Sequence, residues 1–369
     1  CSVWIVCSRG GLIVRIAWLS SKNLGENLSS ITQTQLANGL VSRGHVVDFY
    51  SPGTILNSEF NHYSIPRSDM RGFQARSVVK NLHKHLEEIN TADVVLIDWT
   101  LFSIASKIKP RAILIDRSPP ADRGFLSKVQ WYFWKKAWKK APMGATVSDA
   151  HTNFVVKKTK FNSLEIKSLP AGVDLELFQS NEKSDRIKLA YHGKVDVNRG
   201  VMALPMILAG LQSNGIDASL HIHGKGDAIT RLKNITLDGL EVSESVSQQE
   251  IASLLSGYDV GFLPMPENDV WSLASPLKRS EYLASGMVIC GIYHGGHHIE
   301  ESGEWLQLFN QETFIKDSVK WITSLDRSRL TSLQQQSREY AKKNLSWSHS
   351  VDVLESVSYT HLRAHETIA

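Results

Sequence analysis

Along the first half of the chain, strand-like and helix-like patterns of apolar residues alternate in a regular order. Short apolar runs predict buried strands at residues 14–20, 46–50, 93–98, 111–116 and 144–147. Apolar residues recur with a helical period over residues 28–43 and predict a helix there. Helices are predicted to fill the other gaps between strands, over residues 73–89, 100–107, 126–140 and 149–157. Strands and helices in this order indicate a parallel, doubly wound α/β sheet.

The alternation stops near residue 169 and resumes near residue 187, after a polar stretch. The second series predicts strands at residues 187–192, 218–222, 235–238, 259–263 and 287–292, and helices over residues 201–213, 248–256, 277–284 and 327–343. We therefore predict two Rossmann-like domains, at residues 14–168 and 187–326, with a linker at 169–186 and a helical segment at 327–356. The simplest architecture for two such domains has them face each other across a cleft, and we then expect ligands at the carboxyl ends of the strands.

Composition and charge narrow the functional classes. Hydrophobic residues make up 42% of the 369 residues and charged residues 21%, which excludes a disordered chain. A net charge of +4 is too small for a protein that wraps nucleic acid, so no nucleic-acid partner is expected. Three cysteines form no disulfide framework, and no apolar run approaches the ~20 residues that cross a bilayer. We expect a cytoplasmic protein.

Both ends of the chain are predicted to be non-native, over residues 1–13 and 357–369. The first strand-like run begins at Val14, which is the predicted natural start. The final residues resemble a translated sequencing adaptor. For that reason His361 and His365 are given no role, although their spacing suits a pair of metal ligands on a helix.

One segment of the second predicted domain combines a helix start with a carboxylate. Ser275 and Pro276 are typical of an N-cap and a first helical position. The backbone amides that follow, at Leu277 and Lys278, would bind an anion. Glu281, about two turns along the helix, would accept hydrogen bonds from two sugar hydroxyls. From the local residues alone, an ordinary capped helix with an exposed glutamate is an equal alternative.

A second segment places cations after a strand. Lys194 and Arg199 follow the first strand of the second domain, after Gly193, and two cations beside a helix start suit a diphosphate. A solvated surface loop is the alternative. Gly224 and Gly226 form a Gly-x-Gly turn after the next strand, which is a weak signal by itself.

Together, these segments resemble the retaining glycosyltransferases of family 4, which have the GT-B fold. The resemblance extends from Arg15 to about Trp347 and includes residues 169–178, which are similar to the family's interdomain stretch. It implies that a sugar moves from a nucleotide-diphospho-sugar donor to a hydroxyl of a glycan or lipid-linked acceptor, with no cofactor. Lys194 and Arg199 would be the catalytic residues, acting on the leaving diphosphate. The implied substrate-binding residues are Gly193, Gly224, Gly226, Ser275, Pro276, Leu277, Lys278 and Glu281. Ser29 and Ser30 are added on the acceptor side, at positions where the family usually has two glycines.

The chain departs from the family pattern at the sugar end of the site. Leu273 stands where the family has an earlier glutamate, and Glu267 or Asp269 on the same loop would have to replace it. Two alternatives to the transferase stay open. One is a GT-B nucleotide-sugar epimerase, and the other, which Leu273 favours, is a catalytically inactive protein that binds sugar nucleotides. A nicotinamide oxidoreductase is disfavoured, because no Gly-x-Gly-x-x-Gly follows the first strand.

A basic, aromatic stretch at residues 126–140 is a candidate membrane-docking helix. Such helices lie in anionic membrane interfaces. The residues assigned to that surface are Trp131, Trp134, Lys135, Lys136, Trp138, Lys139 and Lys140. The alternative, which the need for a helix at this place favours, packs the aromatic side chains on the sheet and leaves the lysines in water.

The chain has 14 histidines, and outside the excluded tail they form no clear set of three or four metal ligands. We therefore expect no metal site.

Overall fold

A computed structural model of the chain describes residues 7–8, 11–25, 28–55, 58–110, 112–120 and 124–366. The side chains of residues 7–12, 28, 29, 125 and 360–366 lie outside that description. The chain divides into two compact units. Unit 1 contains the described residues up to Pro170 and those from Trp347 onward, and unit 2 is Ala171–Ser346.

Unit 1 is built on a seven-stranded parallel sheet with the order β5-β4-β3-β6-β7-β8-β9. The strands are β3 (Arg15–Leu19), β4 (Val46–Ser51), β5 (Asn61–Ser64), β6 (Val94–Asp98), β7 (Ala112–Asp116), β8 (Gly144–Thr146) and β9 (Ile166–Ser168). A two-residue antiparallel pair, β1 (Cys7–Ser8) and β2 (Gly11–Leu12), precedes them where the sequence predicts no strand. The α-helices are α1 (Leu28–Ser42), α2 (Gln74–Leu82), α3 (Leu86–Ile89), α4 (Phe125–Lys140), α5 (Asp149–Thr159) and α12 (Trp347–Glu366). Three 3₁₀ helices are His83–His85, Trp99–Lys107 and Ser163–Glu165.

The last helix, α12, returns to unit 1 and packs on α1. The Cγ2 atom of Val351 on α12 fills the space beside Gly39 on α1, where a Cβ atom would lie only 2.5 Å from it. Arg43, just after α1, forms ion pairs with Asp352 at 2.6 Å and Glu355 at 2.5 Å. The helical segment predicted at residues 327–356 is therefore two helices that belong to different units.

Unit 2 is built on a six-stranded parallel sheet with the order β12-β11-β10-β13-β14-β15. The strands are β10 (Ile187–Lys194), β11 (Ala218–Lys225), β12 (Leu240–Ser243), β13 (Val260–Leu263), β14 (Val288–Ile292) and β15 (Leu306–Phe309). The α-helices are α6 (Leu204–Ser213), α7 (Ile229–Lys233), α8 (Gln248–Leu255), α9 (Leu277–Ala284), α10 (Phe314–Thr323) and α11 (Arg327–Asn344). Three 3₁₀ helices are Val197–Arg199, Val201–Ala203 and Trp271–Leu273.

Both sheets confirm the predicted doubly wound α/β class. Every residue of β6, β7 and β14 is buried, which explains their nearly continuous apolar sequences. In each sheet the strand order reverses beside the first strand of the series, at β3 and at β10, and such switch points open ligand sites at the carboxyl edge.

One strand of unit 2 was placed too early by the sequence pattern. Residues 235–238 were predicted, whereas Leu240–Ser243 pairs with β11. Both segments alternate apolar and polar residues, and Gly239, with a φ of 70°, separates them. The sequence pattern alone does not show which of the two pairs with the sheet.

Candidate functional site

The carboxyl ends of β10 and β11 approach each other more closely than side chains would allow. Gly193 pairs with Gly224, and a Cβ atom on Gly224 would lie 1.9 Å from the Gly193 carbonyl oxygen. A Cβ atom on Gly226 would lie 2.3 Å from the carbonyl oxygen of Val195. Gly193 also has a φ of 108°, a conformation that other residues rarely adopt. The close packing of these two strand ends therefore requires the predicted glycines.

Lys194 and Arg199 lie at the carboxyl edge of the unit 2 sheet, in and just after the end of β10. Lys194 is exposed, and its carbonyl oxygen accepts a hydrogen bond from the Tyr191 hydroxyl at 2.6 Å. The guanidinium carbon of Arg199 lies 5.3 Å from the centre of the Trp271 ring, and Nε lies 3.7 Å from the Asp196 carboxylate. Arg199 is thus held over an aromatic face, whereas the side chain of Lys194 extends into solvent.

The start of α9 differs from the prediction in its capping. Pro276 is the N-cap, and Ser275 is not. The Ser275 hydroxyl instead accepts a hydrogen bond from the backbone N–H of Ala171, 3.3 Å away, so it is turned from the helix end. Within the described ranges no side chain caps α9. The first-turn amides, which include those of Leu277 and Lys278, therefore keep their capacity to bind an anion.

Glu281 lies on the second turn of α9 and is 9% exposed. One of its carboxylate oxygens is 3.1 Å from Nε2 of His192 on β10. The neighbouring Tyr282 is fully buried, and its hydroxyl accepts a hydrogen bond from the His192 backbone N–H at 3.2 Å. The Tyr282 ring occupies the space beside Gly261, where a Cβ atom would lie 2.4 Å from it. These contacts fix α9, and with it Glu281, against the end of β10.

Lys278 completes the contact between β10 and α9. Its ammonium nitrogen lies 4.0 Å from the centre of the Tyr191 ring and is within 3.4 Å of the position that a Cβ atom on Gly193 would take. The structure therefore brings Gly193, Lys278 and Glu281 together, as predicted for one site. Tyr191 and His192 were not predicted, although both adjoin the Gly193-Lys194 motif, because their contacts are to a helix almost 90 residues later.

The loop before α9 contains Leu273, the residue that departs from the pattern of the family that the sequence resembles. Leu273 is buried, at 8% exposure, within the 3₁₀ helix Trp271–Leu273. Glu267 and Asp269 are both exposed on the same loop. Asn268 orders the turn between them by accepting hydrogen bonds from the backbone of two following residues. Leu273 therefore fills the position for which the sequence resemblance implies a glutamate, and the nearest described carboxylates, Glu267 and Asp269, lie on the exposed part of the loop.

Unit 1 has a buried carboxyl group at the switch point of its own sheet. Asp98, the last residue of β6, accepts hydrogen bonds from the Ser20 hydroxyl at 2.7 Å and the Ser21 backbone N–H at 3.1 Å. Burial raises the pKa of the Asp98 carboxyl, and these two hydrogen bonds oppose the rise. Ser30 is buried on α1, and the side chain of Ser29 lies outside the described residues. Asp98 was not predicted, because an acid at the end of a buried strand has no distinctive sequence pattern.

The aromatic residues of α4 divide into a buried and an exposed set. Trp134 and Trp138 are fully buried and donate hydrogen bonds to one carboxylate oxygen of Asp116, at 2.6 and 2.8 Å. Their assignment to a membrane-docking surface is therefore wrong, because a carboxylate under the helix holds both rings in the core. Tyr132 and Phe133 are exposed, as are the four lysines at positions 135, 136, 139 and 140. No helix in the described part of the chain is long and apolar enough to cross a membrane.

Four buried or half-buried histidines of unit 2 lie beside another aromatic or imidazole ring. His221 and His223 both stack on Tyr258, and burial lowers the pKa of each. His294 and His297 lie with ring centres 3.7 Å apart, and burial lowers the pKa of His294 to about 4. No group of three or more His, Cys, Asp or Glu side chains among the described residues is placed to hold a metal ion.

The whole chain is similar to solved glycosyltransferase structures. No protein-family model matches it, and no curated protein matches it in sequence. Sucrose-phosphate synthase from Thermosynechococcus elongatus superposes with a TM-score of 0.72 at 15% identity, over 96% of this chain and 99% of that one. A Rickettsia africae glycosyltransferase gives 0.71 at 14% identity, over 95% and 99%. Anabaena HepE, solved with UDP-glucose, gives 0.64 at 12% identity, over 94% and 99%.

These similarities establish the class of fold. The chain has the GT-B fold of the glycosyltransferases, and each of its two units is built on a parallel sheet flanked by helices. The fold predicted from the motif resemblance is thereby confirmed.

Proposed function

We propose that the protein is a retaining glycosyltransferase that moves a sugar from a nucleotide-diphospho-sugar to an acceptor hydroxyl. The observation that carries the proposal is the contact between β10 and α9, which gathers Gly193, Lys278 and Glu281 beside an uncapped helix start. Unit 2 would hold the donor, and unit 1 the glycan or lipid-linked acceptor. No metal or other cofactor is required by this proposal.

The charged groups at the carboxyl edge of unit 2 suit the diphosphate and the ribose of such a donor. The helix start of α9 and the cations Lys194, Arg199 and Lys278 suit the diphosphate, because backbone amides and full positive charges both favour an anion there. The Glu281 carboxylate suits the ribose hydroxyls, since an ionised acceptor forms stronger hydrogen bonds than a neutral one. Charge that develops on the departing diphosphate would meet the same cations, and electrostatic stabilisation of that kind is a large part of catalysis.

One observation favours a second candidate function. Leu273 is buried where the family has a glutamate, so the carboxylate that would contact the donor sugar is replaced by an apolar side chain. A protein that binds sugar nucleotides without transferring the sugar would tolerate this change. Donor binding without transfer or donor hydrolysis would support that alternative.

A panel of nucleotide-sugars separates these functions. A donor that binds the folded state raises the apparent melting temperature by mass action, and nucleotides without sugar serve as the reference. The donor found in this way is then incubated with acceptors, and the anomeric configuration of the product is determined. Retention of configuration supports the proposal, whereas inversion, or turnover to an epimer without acceptor, contradicts it.

Glu281→Gln is expected to weaken donor-nucleotide binding by roughly 1.5–3 kcal/mol, because the substitution keeps the shape of the side chain and removes its charge. Calorimetric titration with the donor nucleotide measures the loss. Glu312→Gln, at an exposed position before α10, is the matched control and should bind like the parent. Unchanged affinity in a folded Glu281→Gln protein would remove Glu281 from the donor site.

Peripheral association with an anionic membrane is part of the proposal. The exposed residues Tyr132 and Phe133 on α4, together with its lysines, support it. Each lysine near such a surface contributes about 1 kcal/mol, and salt weakens the contribution. In liposome co-sedimentation we expect more protein with vesicles that contain anionic lipid, and less at high salt. Equal recovery with neutral and anionic vesicles would contradict membrane docking.

A further inference from the structure

A long groove crosses one face of unit 1, between α2 and α4. Its volume is about 1340 Å³, and the residues that line it come from α2 and the segment before it, the 3₁₀ helix Trp99–Lys107, α4, and the chain around β3 and β7. The 3₁₀ helix Trp99–Lys107 contacts both α2 and α4 and forms the floor between them. An α-helix was predicted for residues 100–107, and 3₁₀ helices of this length are uncommon.

The period of the floor helix explains how it faces both the core and the groove. Leu101 and Ile104, three residues apart, are buried and pack below. Phe102 and Ala105 are half-buried and pack against the edge of the same core, whereas Ser103 and Ser106 are exposed. All four residues line the groove.

Cations mark both ends of the groove. Lys22 and Arg67 lie at the carboxyl edge of the sheet, where Arg67 donates hydrogen bonds to the Ser21 carbonyl at 3.3 Å and the Asn23 side chain at 3.1 Å. Arg76, on the first turn of α2, lies at the same end because α2 runs back from that edge. Lys109, before β7, and the late α4 residues Lys136 and Lys140 lie at the opposite edge. Among the described residues the lining includes seven Lys and Arg side chains and no Asp or Glu.

The middle of the groove is apolar. Val79, Phe102, Val129 and Phe133 line it between the two cationic ends, and Phe133 is 50% exposed. The part of α4 from position 126 to position 140 is about 21 Å long at the usual helical rise. An apolar strip of this length beside a cationic end fits an extended alkyl chain that carries an anion.

We propose that this groove binds a lipid phosphate with a single extended chain, as the anchor of a lipid-linked acceptor. The inference rests on the proposed function, since it names the acceptor class of the transferase. Lys22, Arg67 and Arg76 hold the phosphate at the carboxyl edge of the sheet, where Rossmann-like units place their reacting groups. The chain lies over Phe102, Val129 and Phe133.

The composition of the groove selects this occupant over a glycan. A neutral sugar chain needs many hydrogen-bonding groups, and burying its hydroxyls without partners is unfavourable. Among the residues that the structure describes, this lining has no carboxylates and a largely aliphatic and aromatic middle. A phosphate forms charge-assisted hydrogen bonds with arginine, which the head group of a neutral lipid cannot do.

The binding test uses dodecyl phosphate, kept below its micelle concentration, in calorimetric titrations with the full chain. Inorganic phosphate and dodecyl maltoside are the comparison ligands, because each has only one half of the proposed chemistry. We expect dodecyl phosphate to bind at least about tenfold more tightly than either one. Equal binding of dodecyl phosphate and dodecyl maltoside, or no binding of dodecyl phosphate, would overturn the inference.

Paired substitutions locate the ligand. Arg76→Glu reverses an exposed cation that lines the groove, and Lys80→Glu reverses an exposed cation on α2 outside the groove. Phe133→Ser and Tyr132→Ser make the same comparison on α4 for the alkyl chain. The groove variants should bind dodecyl phosphate about tenfold more weakly and the controls like the parent. Equal losses in a groove variant and its control would indicate a diffuse surface effect and overturn the site.

A measurement of donor binding separates a failure of this inference from a failure of the proposed function. The same variants should be stabilised by the donor nucleotide-sugar as much as the parent, because the groove is formed by unit 1 alone. Donor binding without any dodecyl phosphate binding would overturn the groove and leave the transferase intact. Dodecyl phosphate binding in a protein that no nucleotide-sugar stabilises would confirm the groove and contradict the transferase.

Discussion

Replacing Arg199 by alanine is expected to lower kcat by about a hundredfold or more, which corresponds to 2.7–4 kcal/mol of barrier. Lys194→Ala should have an effect of the same kind. The charge on the donor diphosphate grows as the glycosidic bond breaks, so contacts from these cations strengthen in the transition state. Donor binding should therefore change much less than kcat. Steady-state kinetics with an identified donor measures both quantities.

The surroundings of Arg199 sharpen this expectation. Its guanidinium lies over the Trp271 ring and beside Asp196, which limits its motion before the donor arrives. Arg199→Lys should recover only part of the rate, because an ammonium group keeps the charge and loses the planar fork. The Lys194 side chain is exposed and moves more freely, so its effect on kcat depends on how far the bound donor orders it.

Arg231→Ala is the matched control for Arg199, since Arg231 is an exposed arginine on α7 in the same unit. It should leave kcat within a factor of about three of the parent, as expected for a surface charge. If Arg199→Ala and Lys194→Ala both turn over like the parent, the diphosphate assignment is wrong. A fall in donor affinity equal to the fall in kcat/KM, with kcat unchanged, would instead assign the two cations to ground-state binding.

The strands of the two sheets were predicted best where they are buried on both faces. Strands β6, β7 and β14 were all identified, because a short, nearly continuous apolar run is typical of a strand covered on both sides. The short outer strands β5, β9 and β15 were missed. Most of their residues are partly buried or exposed, so their apolar pattern is weak.

The sequence predicted several residues of the candidate site, but it did not predict the contacts between them. Gly193, Lys278 and Glu281 were named from motifs, and the structure places them side by side. His192 and Trp271 were not named, because each acts through a partner far away in the chain. Ser275 was assigned the wrong role for a similar reason, since its hydroxyl bonds to Ala171, about 100 residues earlier.

Trp138→Ala is expected to destabilise unit 1 by about 3–5 kcal/mol, the usual cost of removing a large buried aromatic side chain. The Trp138 ring lies against Gly144 on β8, where a Cβ atom would come within 2.7 Å of it. The cavity left by alanine would therefore open directly beneath the helix. A second contribution comes from Asp116, which would lose one of its two indole donors in a fully buried position.

Trp138→Phe separates these two contributions, because phenylalanine fills most of the space and donates no hydrogen bond. Its expected cost is about 1.5–3 kcal/mol, the value of a hydrogen bond to a charged group. Tyr132→Ala, at 61% exposure on the same helix, is the control and should stay within about 0.5 kcal/mol of the parent. Urea denaturation followed by circular dichroism measures all three variants. If Trp138→Ala and Tyr132→Ala unfold at the same urea concentration as the parent, then Trp138 is not a core residue. The tryptophans of α4 would then be assigned to the membrane-docking surface again.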